Sequence, residues 1–386
     1  MDDDRATVRL VDRLLADAVR RRASDIHLQP EADRIRVRLR IDGLLREAEA
    51  PPAALHGRIA ARIKLLAGMD VAEQRLPQDG RLEARDGDGH RVQFRVASCP
   101  GVHGEKLVLR LIEQDAPTTL EALGLPDPAR QALEAALDRP DGLILVTGPT
   151  GSGKTATLHA ALRRLNTPER NICAVEDPVE LDTPGVTHVA VNRRAGIDFA
   201  RALRAFLRQD PDVIMVGEIR DAETAAIAVK AAQTGHLVLS TLHTRSAPGA
   251  VERLAQMGLP GHDLASSLSL VVAQRLVRRL CPTCRDATSS PAQPAAAEPP
   301  GDYARRGCSQ CQDGYCGRRG VFQVMPLTRT VADAVLAGAS AREIETRARA
   351  DGIPDLHDAG WPLVEAGETS ATELRRVTHE ADSWPA

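Results

Sequence analysis

Aromatic residues are scarce: four Phe, two Trp and two Tyr in 386 residues. Leu, Val, Ile and Ala must therefore fill any core, and the chain has few rings on which successive nucleobases could stack. Charge of one sign is also missing, with 50 Lys and Arg against 53 Asp and Glu and a formal net charge of −3. No global basic field announces a polyanion, so nucleic acid is not the expected partner. Long apolar runs are absent as well, and none approaches the ~18 residues that cross a bilayer. The opening Met1-Asp2-Asp3-Asp4-Arg5 is acidic where an export signal is basic and then apolar, so the expected location is the cytosol. Seven cysteines, an odd number without such a signal, argue against a disulfide framework and for thiol or metal chemistry.

What is present starts at Leu143-Ile144-Leu145-Val146, an apolar run that empties into Gly148-Pro149-Thr150-Gly151-Ser152-Gly153-Lys154-Thr155. A buried strand, a glycine loop and a helix opening in Lys-Thr make a phosphate-binding loop. The glycines turn consecutive backbone N–H groups toward one anion, Lys154 reaches the β- and γ-phosphates, and Thr155 offers its hydroxyl to Mg²⁺. Downstream, Asp212-Val213-Ile214-Met215-Val216-Gly217-Glu218 is a short apolar strand ending in an acid, where such enzymes hold Mg²⁺ or its waters. Between the two lies Glu176-Asp177-Pro178-Val179-Glu180, whose crowded carboxylates call for a compensating cation or an activated water. The chemistry expected is binding and hydrolysis of a nucleoside triphosphate.

Composition shifts divide the chain. Residues 1–112 read as a small α/β domain. It has a helix over 6–22, a strand in which Ile35, Val37, Leu39 and Ile41 alternate with arginines, a turn at Asp42-Gly43, and a helix bearing Ile59, Ile63 and Leu66. Alternating strands follow around Val92-Phe94-Val96 and Leu107-Leu109-Leu111. Residues 113–127 read as a linker. Over 128–275 strands and helices alternate around the phosphate loop, the pattern of a mostly parallel sheet covered on both faces. Residues 276–320 form a cysteine subdomain, within which 289–300 is a loose Pro/Ala/Ser run, and 321–386 a helical end. Cys281-Pro282-Thr283-Cys284 and Cys308-Ser309-Gln310-Cys311 are two C-x2-C knuckles, a spacing that brings four thiolates round one tetrahedral Zn²⁺. Four protein ligands leave no open position, so the site is structural. Cys316 is a spare ligand, and Cys99 and Cys173 are expected as small core residues.

Ala23-Ser24-Asp25-Ile26-His27, Pro77 to Arg81, the phosphate loop, Glu176 to Glu180, Leu203 to Asp212, Gly217 to Asp221 and Thr234 to Thr244 together carry a family resemblance. They closely resemble the type II secretion and type IV pilus assembly ATPases, the GspE/PulE family, in that family's order. The resemblance implies a RecA-like P-loop core behind a PAS-like N-terminal α/β domain, with ATP, Mg²⁺ and structural Zn²⁺ as cofactors. Lys154 and Thr155 become the Walker A contacts, Glu218 the Walker B acid on Mg²⁺, and Glu180 the residue that polarises the attacking water. Glu176 and Asp177 shape the pocket, His236 and His243 sense the nucleotide state, and Arg95 and Arg110 present charge to the departing phosphoryl group. Arg95 and Arg110 read without the family as solvated strand-face arginines.

His188 stands where the family usually has glutamine, and Arg245-Ser246 replaces its usual pair. The implied assembly is a homo-oligomer, a hexameric ring on the inner face of the plasma membrane that works on a membrane platform protein. Many members carry an extra N-terminal domain that docks this platform, and the few residues before Arg5 hold no counterpart. The cysteine pairs favour the assembly or secretion branch over retraction. A nucleic-acid motor of competence or conjugation type, and a nucleotide-binding scaffold with vestigial hydrolysis, stand as alternatives.

Overall fold

The computed structural model describes residues 2–85, 89–112, 119–287, 303–305 and 307–378. Its contacts separate two compact units, Met1–Asp115 and Ala116–Ala386. The expected Pro/Ala/Ser run at 289–300 lies outside the described residues.

In the first unit, α1 (Asp2–Arg20), β1 (Ala23–Pro30), β2 (Ile35–Ile41), β3 (Leu44–Glu47), α2 (His56–Leu66), β4 (Gln78–Arg85), β5 (Arg91–Gly101) and β6 (Gly104–Ile112) follow in order. The six strands form one antiparallel sheet in the order β3-β2-β1-β6-β5-β4. Period-two burial in β2, with Ile35, Val37, Leu39 and Ile41 inside, turns one face of the sheet onto Val11 and Leu15 of α1 and Ile59 and Ile63 of α2. The β2–β3 turn uses Asp42 and Gly43 at φ 47° and 84°, both positive as a tight two-residue hairpin demands. Cys99 departs from expectation. Phe94, Val96 and Ser98 point inward from β5, so Cys99 falls on the outward phase and is exposed, whereas Cys173 is buried.

The second unit runs through α3 (Asp127–Leu137), β7 (Gly142–Thr147), α4 (Lys154–Leu165), β8 (Ile172–Glu176), β9 (Val186–Ala190), α5 (Phe199–Phe206), β10 (Val213–Val216), α6 (Ala222–Gln233), β11 (Leu237–Leu242), α7 (Ala247–Gln256), α8 (Gly261–Ser267) and β12 (Leu268–Leu280). It continues with β13 (Arg285–Ala287), β14 (Tyr303–Arg305), β15 (Tyr315–Pro326), α9 (Arg329–Leu336), α10 (Ala341–Ala350), α11 (Leu356–Glu365) and α12 (Ala371–Thr378). The main sheet has the order β15-β12-β7-β11-β10-β8-β9, parallel throughout except for β15. This is a RecA-like arrangement, with β11 inserted between the strand before the glycine loop and the strand before Glu218. Alternate residues of β7 feed two cores: Ile144 and Val146 meet α3 and α4, while Leu143 and Leu145 share a core with α5, α6 and the C-terminal helices. Both faces being covered is why β7, β8, β10 and β11 are buried along their whole length.

Two expected boundaries move. The cuts at 275/276 and 320/321 fall inside β12 and β15, which pair from Leu270–Pro326 to Leu280–Tyr315. The cysteine region is therefore the tip of a long hairpin of the core sheet, because the apolar run that builds β12 continues past 275. Leu120, Leu123 and Leu125, in the segment read as a linker, are buried in the core of the second unit.

Charge locks this hairpin to α12. Glu373, 1% exposed, accepts from Arg278 Nη2 at 2.7 Å and from Arg376 at 2.7 and 2.8 Å, and the Arg278 guanidinium lies 4.1 Å over the Tyr315 ring. Burial pushes the Glu373 carboxyl up, but the hydrogen bonds from Arg376 and Arg278 outweigh it and bring the pKa from 4.5 down to about 2. A depressed folded-state pKa means stability present above the unfolded value of 4.5 and lost as pH falls toward 2. Glu373→Gln leaves Arg278 buried beside a neutral amide. At pH 7 it is expected to lower unfolding stability by about 3 kcal/mol, a gap that narrows on acidification below about pH 4.5 in urea titrations.

Candidate active site

The loop between β7 and α4 is built by glycine where nothing larger fits. At Gly148 (φ 153°) an added Cβ would lie 2.5 Å from both the Gln274 carbonyl oxygen and the Ser152 hydroxyl. At Gly153 (φ 89°) it would lie 2.6 Å from Gln274 Nε2. Gly153 caps α4, so the N–H groups of the first helical turn have no intrahelical acceptor and face the loop opening. Ser152 Oγ is buried without a hydrogen-bond partner, and Thr155 is exposed. Lys154 Nζ donates to the carbonyls of Gly148 at 2.8 Å and Pro149 at 3.0 Å. An unfilled donor, free helix-start amides and an ammonium resting on its own loop fit a triphosphate held from Gly148 to Thr155, Pro149, Thr150 and Gly151 included.

Acids gather opposite this loop. Parallel register sends β7, β10 and β8 out at the same edge of the sheet, so the residues following them meet there. Glu218 accepts from Arg220 at 2.5 Å, and Arg220 also reaches Asp177 at 3.8 Å. Burial works to raise the Glu218 carboxyl, but the Arg220 hydrogen bond and charge and the nearby His243 outweigh it and hold it below the usual range. Burial lowers the Lys154 pKa to about 8, against the pull of Glu218 and helped by Arg275, so one field joins these groups. Glu180, on the loop after β8, is exposed.

The two histidines of the Thr234–Thr244 block part company. His243 follows β11, whose Leu242 pairs with Thr147 at the mouth of the glycine loop; its Nε2 is 3.6 Å from Glu218. Burial and the Lys154 charge lower its pKa. His236 precedes β11, beside Gly142 at the start of β7, and its Nδ1 lies 2.9 Å from the Ala231 carbonyl. A strand of this length separates it from the loop by roughly 20 Å. Within the chain His236 is therefore not a nucleotide contact, because seven residues along a strand carry a side chain to the opposite edge. Glu176 also differs from expectation. Its carboxylate is buried between His188 Nδ1 at 2.8 Å and His159 Nε2 at 3.4 Å, so any shaping of the pocket is indirect.

Arg95 and Arg110 belong to the first unit and pair across β5 and β6. Arg110 Nε donates to Asp25 at 2.8 Å, and Asp25 also faces Arg40 at 3.6 Å; Arg95 is exposed. With Arg81 opposite Arg95, one row across the sheet reads Arg40, Asp25, Arg110, Arg95, Arg81. Sequence reasoning missed Gln274 and Arg275. Gln274 Oε1 accepts from Thr157 of α4 at 2.7 Å, and Arg275 Nη2 donates to the Arg245 carbonyl at 2.6 Å. Their signal was two polar residues in an otherwise apolar strand, both buried.

Cys281, Cys284, Cys308 and Cys311 converge at the hairpin tip with all four sulfurs within 4.8 Å of one another. The 281–308, 284–311 and 308–311 separations are 3.8, 3.7 and 3.6 Å. Zn–S bonds of about 2.3 Å in a tetrahedron give edges of about 3.8 Å, so the cage fits zinc. Cys316 is exposed and outside this group.

A glycine loop of this build, a RecA-like sheet and acids at the ends of the neighbouring strands define a P-loop nucleoside triphosphatase. A model of the Type II/IV secretion system protein family matches residues 1–376. The type IV pilus assembly ATPase PilB of Pseudomonas aeruginosa is 46% identical over 387 residues, covering 98% of this chain and 68% of that relative. Type II secretion system protein E of the same bacterium is 45% identical, covering 98% and 77%. Among solved structures, the Legionella pneumophila ATPase DotB shares the fold with a TM-score of 0.70 at 23% identity over 95% of each chain. The pilus retraction motor PilT with bound ADP matches with a TM-score of 0.64 at 25% identity, covering 95% of this chain and 96% of PilT. The chain belongs to the Type II/IV secretion system protein family, and it is an ATPase.

The free-state pKa of Lys154, about 8, sets a test of the cradle. Phosphate raises that pKa on binding, so nucleotide must bring a proton with it once pH exceeds the free-state value. ATP affinity, read by titration calorimetry, is expected to weaken up to about tenfold per pH unit above about pH 8 and to change little below it. For the cysteine cage, metal analysis is expected to find one zinc per chain. Cys308→Ser is expected to lose most of it and to loosen the hairpin tip, measured as faster amide exchange near Cys281.

Proposed function

We propose that this ATPase is the motor of a pilus or pseudopilus assembly machine. In this reading it works as a homo-oligomeric ring, a hexamer, at the cytoplasmic face of the inner membrane on a platform protein. Attachment in this reading runs through that partner; among the described residues no helix is long and apolar enough to cross a membrane. The observation that carries the reading is identity of 44–46% across nearly the whole chain to pilus-assembly and type II secretion proteins. The cysteine cage supports the same branch.

Lys154 leaves the Gly148 and Pro149 carbonyls to pair with the β- and γ-phosphates, and the first-turn amides of α4 take the remaining oxygens. The Thr155 hydroxyl and Glu218 would hold Mg²⁺, which would supply charge neutralisation for the phosphates. Glu180 orients the attacking water and accepts its proton. His243, on Glu218, registers whether the γ-phosphate is present.

Phosphate release by the wild type and Glu180→Ala tests this, with and without a cytoplasmic fragment of the platform protein. The variant is expected to lose about 10²-fold or more in kcat while binding ATP within about threefold of the wild type. The platform fragment is expected to stimulate the wild type only. Equal turnover by both proteins removes Glu180 from its role, and stimulation by DNA instead of the fragment would refute the assembly-motor reading.

A further inference from the structure

We infer that His188 is a positioning residue: it clips shut the loop carrying Glu180. The inference rests on the water-orienting role proposed for Glu180.

The loop leaves the sheet after Glu176 and returns at Val186 on the adjacent strand, with His188 of β9 opposite Ala174 of β8. One side chain holds both of its ends. His188 Nε2 accepts the Thr183 N–H at 3.2 Å, and Nδ1 lies 2.8 Å from Glu176 Oε1. A backbone amide only donates, so Nε2 carries no proton. The proton therefore sits on Nδ1 and is donated to Glu176. The His188 side chain is 6% exposed and Thr183 is buried, so water does not replace either bond.

α4 joins the same point. His159, one turn beyond Lys154, brings Nε2 to 3.4 Å from the other Glu176 oxygen, and its ring lies nearly parallel to that of His188 with centroids 6.4 Å apart. The nucleotide helix, the strand before the acidic loop and the far end of that loop thus converge on one buried carboxylate. Burial works to raise the Glu176 pKa, but His159 and the hydrogen-bonded His188 outweigh it and hold the carboxyl below the usual range. The titratable groups facing His188 among the described residues are Glu176 on β8 and His159 on α4.

Without the imidazole the Thr183 amide loses its acceptor and the loop end is released. Glutamine can reproduce both bonds, giving an amide N–H to Glu176 and a carbonyl oxygen to Thr183.

Steady-state ATPase kinetics of the full chain at about pH 8 test the clip in wild type, His188→Gln, His188→Ala and Glu180→Gln. His188→Gln is expected to keep kcat within about twofold of the wild type with little change in KM. His188→Ala is expected to lose about tenfold in kcat at pH 8 with ATP affinity retained, which also reports that it is folded. If His188→Ala does not fold, the glutamine variant decides alone. A His188→Gln kcat reduced about tenfold or more, or undiminished kcat in a folded His188→Ala, overturns the clip while an inactive Glu180→Gln leaves the role of Glu180 standing. Full turnover by Glu180→Gln removes that role on its own evidence.

Discussion

Parallel register is the constraint on which the site depends. Because β7, β11, β10 and β8 run the same way and align residue by residue, every loop that follows them opens at one edge of the sheet. The glycine loop, His243, Glu218 and the Glu180 loop therefore share that edge without any of them being close in sequence. The edge is pinned by hydroxyls. Thr147 Oγ1, at the last residue of β7, accepts from the Thr244 N–H at 2.9 Å and lies 2.6 Å from the Thr244 hydroxyl. Ser240 and Thr241 donate to the carbonyls of Val216 and Gly217 at 2.7 Å each. Loops at such an edge cannot drift apart unless buried hydrogen bonds are broken.

What could be read from sequence follows from what is local. Strand alternation in β2, the glycine loop before Lys154 and the cysteine knuckles depend on neighbours within a few residues, and each appears where its pattern put it. The pairing of β12 with β15 joins Leu270 to Pro326 across a long excursion, and no short-range pattern encodes that register, so the boundaries set at 275 and 320 cut through strands. Gln274 and Arg275 escaped notice for the same reason. Their neighbours are α4 and the Arg245 carbonyl, contacts that exist only once β12 lies beside β7.

His236 shows a different kind of miss. His236 and His243 flank a whole strand, and seven residues of extended chain already put their side chains at opposite edges of the sheet. Treating the two histidines as one functional block obscured that geometry. Glu176 belongs to an acidic cluster in sequence, but the imidazoles that face it come from α4 and β9, on either side in the fold. A run of carboxylates in sequence therefore need not face one cation. Here one acid turns inward to histidines, one reaches Arg220, and one stands exposed.

The hairpin tip extends the logic of the edge to stability. Few aromatics are available, and Tyr315, fully buried, sits beneath Arg278 with its hydroxyl 2.7 Å from Ser370 Oγ. A core of aliphatic side chains packs the sheet, but beyond Leu280 the hairpin leaves that core, and a two-stranded ribbon alone is marginal in water. Three devices replace hydrophobic burial there: the Arg278–Glu373–Arg376 cluster, the backbone bond from Leu280 N–H to the Glu368 carbonyl at 2.8 Å, and the four-thiolate cage. β12 also carries Gln274 against the glycine loop. Whatever stiffens the far end of that strand thus steadies the residue that closes the back of the nucleotide cradle.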